Sequence, residues 1–134
     1  MTQTSVAQDI AIWLGDNSSA TLGTDLFAFE LSQDAEKQAV ILDTGGFQLD
    51  LPETIEQVTI QLFIRGNKKQ LFADIYTFAR ELHEVLISND ITANSNEYGR
   101  FFPSGQSAPE LLGRDKDDRP ILSCNYFSYR NPFS

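Results

Sequence analysis

Apolar residues recur along this chain with two different periods. Between Ser5 and Leu14, Val6, Ile10, Trp13 and Leu14 return at helical spacing. Ser5 is placed to cap that segment and Gly15 to end it, so a short amphipathic helix is expected. A polar stretch runs from Asp16 to Thr24. From Leu26 to Leu31 the period drops to two, with Phe27, Phe29 and Leu31 on one side, which predicts a strand. Ser32 to Gln38 is polar and predicts a hairpin loop. Ala39 to Leu42 is a short continuous apolar run. It predicts a buried strand that ends at Asp43-Thr44-Gly45-Gly46 in a tight turn or a close backbone approach. Phe47 to Gln57 holds a proline and no sustained period, and is expected to cross the surface.

Alternation is cleanest from Val58 to Arg65. Val58, Ile60, Leu62 and Ile64 point one way, and Thr59, Gln61, Phe63 and Arg65 the other. Gly66-Asn67 breaks this strand. Lys69 to Leu86 predicts the longest helix, with a stripe of Leu71, Phe72, Ile75, Phe78, Ala79, Leu82, Val85 and Leu86. Its free face carries Lys69, Asp74, Arg80, Glu81 and Glu84. Ile91 to Phe102 has room for one or two short strands, and Pro103, Gly105 and Pro109 interrupt the next stretch. Gly113 to Arg119 reads as a charged hairpin tip. Pro120 to Tyr129 predicts a strand with Leu122, Cys124, Tyr126 and Ser128 on one face and Ile121, Ser123, Asn125, Phe127 and Tyr129 on the other. The sum is an α+β fold: a mainly antiparallel sheet packed by one long helix and a short N-terminal helix. Residues 1–134 are expected to form one domain, since 134 residues fit one core and no internal repeat divides them.

Composition removes several function classes. No apolar run approaches the roughly 20 residues that span a bilayer, so no membrane partner is expected. The first residues lack Lys and Arg and hold Asp9 inside their apolar stretch, which argues against a signal peptide. A single cysteine, Cys124, cannot make an internal disulfide framework or a cysteine zinc cluster, and a single histidine, His83, cannot make a multi-histidine site. No cofactor is expected. Ten basic and 19 acidic residues give a net charge of −9, which repels a phosphate backbone unless the basic residues cluster.

Asp43-Thr44-Gly45 after an apolar strand matches the tripeptide that aspartic proteases use to hold a catalytic carboxylate. Dimeric proteases of this kind need one copy per chain, and Leu111-Leu112-Gly113-Arg114-Asp115 even resembles a segment near their C-terminus. Against this, an all-β protease has no place for the helix from Lys69 to Leu86, and Gly46 stands where those enzymes usually carry Ala or Ser. A strand ending in Asp-Thr-Gly is also ordinary turn chemistry. The acidic tip lacks the spaced oxygens and closing Glu of a calcium loop and is expected to be solvated, without metal. His83 is expected at the surface or boundary of the long helix, and Cys124 as a buried small hydrophobe. Arg65, Lys68 and Lys69 form a basic cluster at a strand–helix junction. They, the tip residues Asp115, Asp117 and Asp118, and the C-terminal aromatics Tyr129 and Phe133 are the candidates for a subunit or partner interface. No catalytic set is assigned.

Three stretches carry a resemblance that spans the chain. Trp13-Leu14-Gly15 is followed by Leu22-Gly23-Thr24-Asp25-Leu26-Phe27. Ala39-Val40-Ile41-Leu42 leads to Gly45-Gly46, then Val58-Thr59-Ile60-Gln61 with Arg65-Gly66, then the long helix. Leu111-Leu112-Gly113-Arg114-Asp115 precedes a charged turn, Arg119, and a strand with Asn125-Tyr126-Phe127 and Arg130. In this order the features resemble a phage minor capsid protein family that is similar to the tail terminators of long-tailed phages. The polar stretch Asn94 to Gln106 departs from that pattern and leaves the sheet edge there open. The resemblance implies a structural virion protein assembled in the bacterial host cytoplasm. Such a protein forms a ring, typically a hexamer, on the head-proximal end of the tail tube. The ring stops tube growth and meets the head connector, and DNA passes through its hole without specific binding. The partners implied are other copies of the chain, the tail tube protein and the connector protein. A dimeric aspartic protease and a small acidic inhibitor of a basic partner are the alternatives.

Overall fold

The computed structural model describes residues 5–32, 37–48, 56–93 and 96–130. Helix α1 spans Val6–Asn17, strand β1 Leu26–Ala28, β2 Gln38–Gln48 and β3 Glu56–Arg65. Helix α2 spans Phe72–Ser88. Then come β4 Ile91–Ala93, β5 Asn96–Gly99, β6 Phe102–Pro103, β7 Glu110–Arg114 and β8 Pro120–Arg130. One six-stranded sheet runs in the order β1-β2-β3-β8-β6, with β7 also on β8, and β4 pairs β5 separately. All pairings are antiparallel except β1 with β2. The fold is α+β, as the pattern predicts.

The alternation in β3 sets the two faces. Val58, Ile60, Leu62 and Ile64 are buried, and β8 places Leu122, Cys124 and Tyr126 beside them. Val6, Ile10 and Leu14 of α1 and Ile75, Phe78, Ala79, Leu82 and Leu86 of α2 belong to the same core cluster. Both helices therefore lie on one side of the sheet. The β4–β5 hairpin packs on that side too, through Ile91 and Tyr98.

Several sequence expectations are corrected. Gly15 does not end α1, which runs on to Asn17. Asn17 Nδ2 and Ser18 Oγ close the helix by donating to the carbonyls of Trp13 and Leu14 at 2.8 and 2.7 Å. Gly15 instead admits Leu22, whose Cβ lies 3.4 Å from where a Gly15 Cβ would stand. The strand from Leu26 stops at Ala28, because Phe29 takes a left-handed φ of 76° that breaks extension. The next connection is not a hairpin: β1 runs parallel to β2, with Leu26 level with Ala39. Gly45-Gly46 is no turn either. β2 continues to Gln48, and its register against β3 shifts between Asp43 and Gly46, the mark of a bulge. The surface crossing expected from Phe47 to Gln57 is strand at both ends, and its middle, residues 49–55, lies outside the described residues.

Helix α2 starts three residues late. Lys69 has a φ of 62° and cannot be helical. Asn67 and Gln70 close a turn in front of it, Gln70 N–H donating to the Asn67 carbonyl at 3.0 Å. Leu71 (68% exposed) and Phe72 (36%) therefore fall off the buried stripe that periodicity predicts for them. Gly66 is needed where β3 leaves the sheet, because a Cβ there would stand 2.7 Å from Pro120 Cγ.

Phe78 sits in this interface at 8% exposure, with Lys37 Nζ 4.4 Å from its ring centre. Phe78→Ala should lower stability by about 3–5 kcal/mol, measured by denaturant unfolding. A loss below about 1 kcal/mol would show that the helix does not lean on this side chain.

Candidate functional site

Asp43, the acid of the protease-like tripeptide, faces α1. Its Oδ2 accepts from Ser5 Oγ at 2.8 Å and its Oδ1 from the Ala7 N–H at 2.9 Å. Ser5 Oγ in turn accepts the Gln8 N–H at 3.3 Å. Strand β2 thus carries a cap for the first turn of a helix remote in sequence, where free N–H groups and the helix dipole favour a carboxylate. The bulge between Asp43 and Gly46 lies just beyond it.

The basic cluster and the acidic tip meet. Arg65 is half-buried, and its Nη2 donates to the Ser32 carbonyl at 3.3 Å. Burial and the neighbouring Arg119 charge lower its pKa, while Asp115 and Asp117 pull it up. At the tip, Asp115 Oδ1 accepts the N–H groups of Asp117 and Arg119 at 2.9 and 3.0 Å. The Arg119 N–H is the main cause that holds the Asp115 carboxyl below its ordinary range. The Asp118 carbonyl takes the Lys69 N–H at 2.8 Å, and Arg114 Nη2 donates to the Gln70 carbonyl at 3.0 Å. The tip is therefore a folded turn latched to the start of α2, with Asp118 exposed and Asp115 and Asp117 half-buried. Lys68 and Lys69 remain exposed. Among the described residues, no three His, Cys, Asp or Glu side chains gather as metal ligands.

His83 is not at the surface: it is 1% exposed. Its Nδ1 lies 2.7 Å from Tyr126 Oη, and it shares a backbone hydrogen bond with Ser107. Burial, then the Arg80 charge, lowers its pKa from 6.5. Burial also pushes the Tyr126 hydroxyl and the Cys124 thiol up, so neither is a ready nucleophile. Ile75, Ala79 and Leu86 bracket His83 on one helical stripe, so the spacing held the clue and residue polarity masked it. A second buried polar site, at Asp9, carries no sequence signal beyond an acid inside an apolar stretch. Tyr98 Oη and Asn96 Nδ2 both donate to Asp9 Oδ2, which ties α1 to the β4–β5 hairpin.

The sheet face away from the helices is covered at its β2 end by the Phe29–Ser32 segment, beneath which Gln38 and Val40 are buried. Near β1, Phe29, Leu31, Val40, Leu42 and Phe63 line an open groove of about 220 Å³. Towards β6, Phe102, Phe127 and Tyr129 form a ridge, with ring centres 5.6 and 6.2 Å apart. Tyr129 is exposed here, while Phe133 lies outside the described residues.

Asp43→Ala should destabilise the fold by about 1 kcal/mol through the lost cap, and Asp43→Asn by less; equal stability of all three proteins would refute the capping role. The unfolded chain protonates His83 near 6.5, the folded chain only at lower pH. Stability tied to neutral His83 is therefore complete above that value and is lost as pH falls below it. Melting curves at about pH 7.5 and about pH 5.5 should show this loss, and His83→Leu should reduce it. An unchanged pH dependence in His83→Leu would refute it.

No family model and no curated protein matches the sequence. The fold does have solved counterparts. One is a chain from a structure described as "Virion of native gene transfer agent (GTA) particle". The two superpose with a TM-score of 0.68 at 11% identity, over 92% of this chain and 94% of the other. At that identity the likeness establishes a shared fold.

Proposed function

We propose that this protein is a structural virion component of a phage-like particle, and within that class a tail terminator. It caps the head-proximal end of the tail tube as a ring, typically of six copies, and joins the tube to the head connector. The observation that carries the proposal is the fold likeness to a virion chain over nearly the full length of both. A domain inserted in an unrelated architecture would match only part of its counterpart. The order of features from Trp13-Leu14-Gly15 to Asn125-Tyr126-Phe127 supports the finer role.

The chemistry of the side chains supports a role without catalysis. Asp43 is engaged in capping α1, which speaks against its use as a protease carboxylate. His83 and Cys124 are buried. A ring needs two different patches per copy, and the outer sheet face carries a groove and a ridge. DNA, with its phosphates, would pass such a net-negative chain without being gripped.

The purified protein should form a hexamer-sized assembly in solution at high concentration, and adding it to growing tail tubes should stop their elongation. Duplex DNA should bind it weakly at physiological salt. Tubes that elongate unchecked would overturn the terminator role. Tight, salt-sensitive DNA binding that disappears when Lys68 and Lys69 are neutralised would overturn the passive conduit.

A further inference from the structure

We propose that the aromatic ridge of one copy seats in the apolar groove of the next, head to tail, and that this contact closes the ring. The proposal rests on the ring reading and names its interface. Groove and ridge occupy the same face of the sheet but opposite parts of it. The groove lies between the segment Phe29–Leu31 that follows β1, strand β2 and the Phe63 end of β3, and the ridge lies on β8 and β6. Phe63 pairs with Ser123, whereas Phe127 pairs with Thr59, so strand register holds the two patches apart within a chain. They can meet only between copies. A contact of one patch with a different patch is heterologous, and it closes into a ring when the rotation between copies allows.

The occupant is a second copy because of the charges. The chain carries −9, so two copies repel over most of their surfaces. Between Arg65 and Tyr129 the central strands present Leu42, Thr59, Gln61, Phe63, Asn125 and Phe127, each half-buried, to this face, with no Asp, Glu, Lys or Arg among them. That is where a like-charged copy can approach. The rims are complementary. Glu30 lines the groove, is exposed, and makes no ion pair among the described residues. Arg100 stands two residues before Phe102 and is 59% exposed. Its Asp90 partner is 3.7 Å away and 82% exposed, so Arg100 is easily drawn to a new carboxylate. Ridge docking would bring Arg100 towards Glu30.

Two substitutions break the patches separately. Phe29→Asp spoils the groove, and Asp tolerates the left-handed φ of 76° better than Phe does, so the fold should survive. Phe102→Asp spoils the ridge at a side chain 49% exposed. If it melts below the wild type, Tyr129→Asp (45% exposed) takes its place. Masses would be measured by sedimentation for each variant alone and for an equimolar mixture.

The wild type should form an assembly larger than a dimer. Each variant alone should be monomeric, its association weakened by roughly thirtyfold or more. The mixture should form dimers and nothing larger, because the intact ridge of Phe29→Asp fits the intact groove of Phe102→Asp. A folded variant that keeps the wild-type mass, a mixture that stays monomeric, or a wild type that stops at a dimer would overturn the proposal. So would variants of unchanged mass that no longer cap tubes, which would give the face to the tube protein. A wild type monomeric at every concentration, alone and on the tube, would instead overturn the ring reading itself.

Discussion

Strand β3 carries Val58, Ile60, Leu62 and Ile64 towards two helices, and β8 beside it carries Leu122, Cys124 and Tyr126 the same way. A strand has a period of two, so a one-residue slip would turn all of these to solvent. Their burial therefore fixes register, and register fixes everything on the opposite face. Phe63 stands level with Val40, and Phe127 with Phe102, only because their neighbours are locked into the core. The groove and the ridge are by-products of a packing decision made on the far side of the sheet.

That dependence explains what could be read in the sequence. The faces of β3 and β8 and the presence of two helices follow from local periodicity, which needs no tertiary information. Chain ends of elements were harder. Gly15 and Gly45-Gly46 carry the composition of stops, yet Leu22 packs against the first and a bulge absorbs the second. Lys69 belongs to a helical pattern, but the turn at Asn67 to Gln70 puts it at a positive φ. The parallel pairing of β1 with β2 was not legible, because a polar connection of this length usually joins antiparallel neighbours. For the candidate site, the aromatic richness of the last strand pointed towards Tyr129. The groove residue Phe29 was hidden, because its role depends on a backbone reversal that the alternation did not foretell.

Buried polar groups tie this one-sided core together. Asp9 is 1% exposed and joins α1 to β5, and His83 at 1% joins α2 to β8. Ser128 Oγ reaches the carbonyls of Tyr98 and Arg100, which fastens the chain between β5 and β6 to β8. Apolar contacts alone would let helices slide over a sheet of branched side chains. A hydrogen bond inside the core adds direction, since leaving either partner unsatisfied costs about 1–3 kcal/mol. These residues are thus best understood as register pins, and their chemistry is used up within the fold. The single histidine and the acid of Asp-Thr-Gly, the tripeptide that resembles a protease motif, are likewise engaged inside the fold, with Tyr126 and with the first turn of α1.

Surplus acid and central strands without charge between Arg65 and Tyr129 on the outer face then make one device. A protein of net −9 gains little from random encounters with its own copies, because most orientations bring carboxylates together. Repulsion of that kind rejects wrong contacts without specifying the right one. If copies assemble through the proposed contact, specificity comes from the face where the repulsion lapses, and there shape decides: an apolar groove admits an aromatic ridge and rejects a charged loop. On the ring reading the two effects act at different distances. Charge acts across about a Debye length, roughly 8 Å at physiological salt, and orients copies before they touch. Packing acts only at contact and holds them. The acid left on the remaining surface would keep a finished ring from stacking on further rings, and a terminator of polymerisation needs that property as much as it needs its own closure.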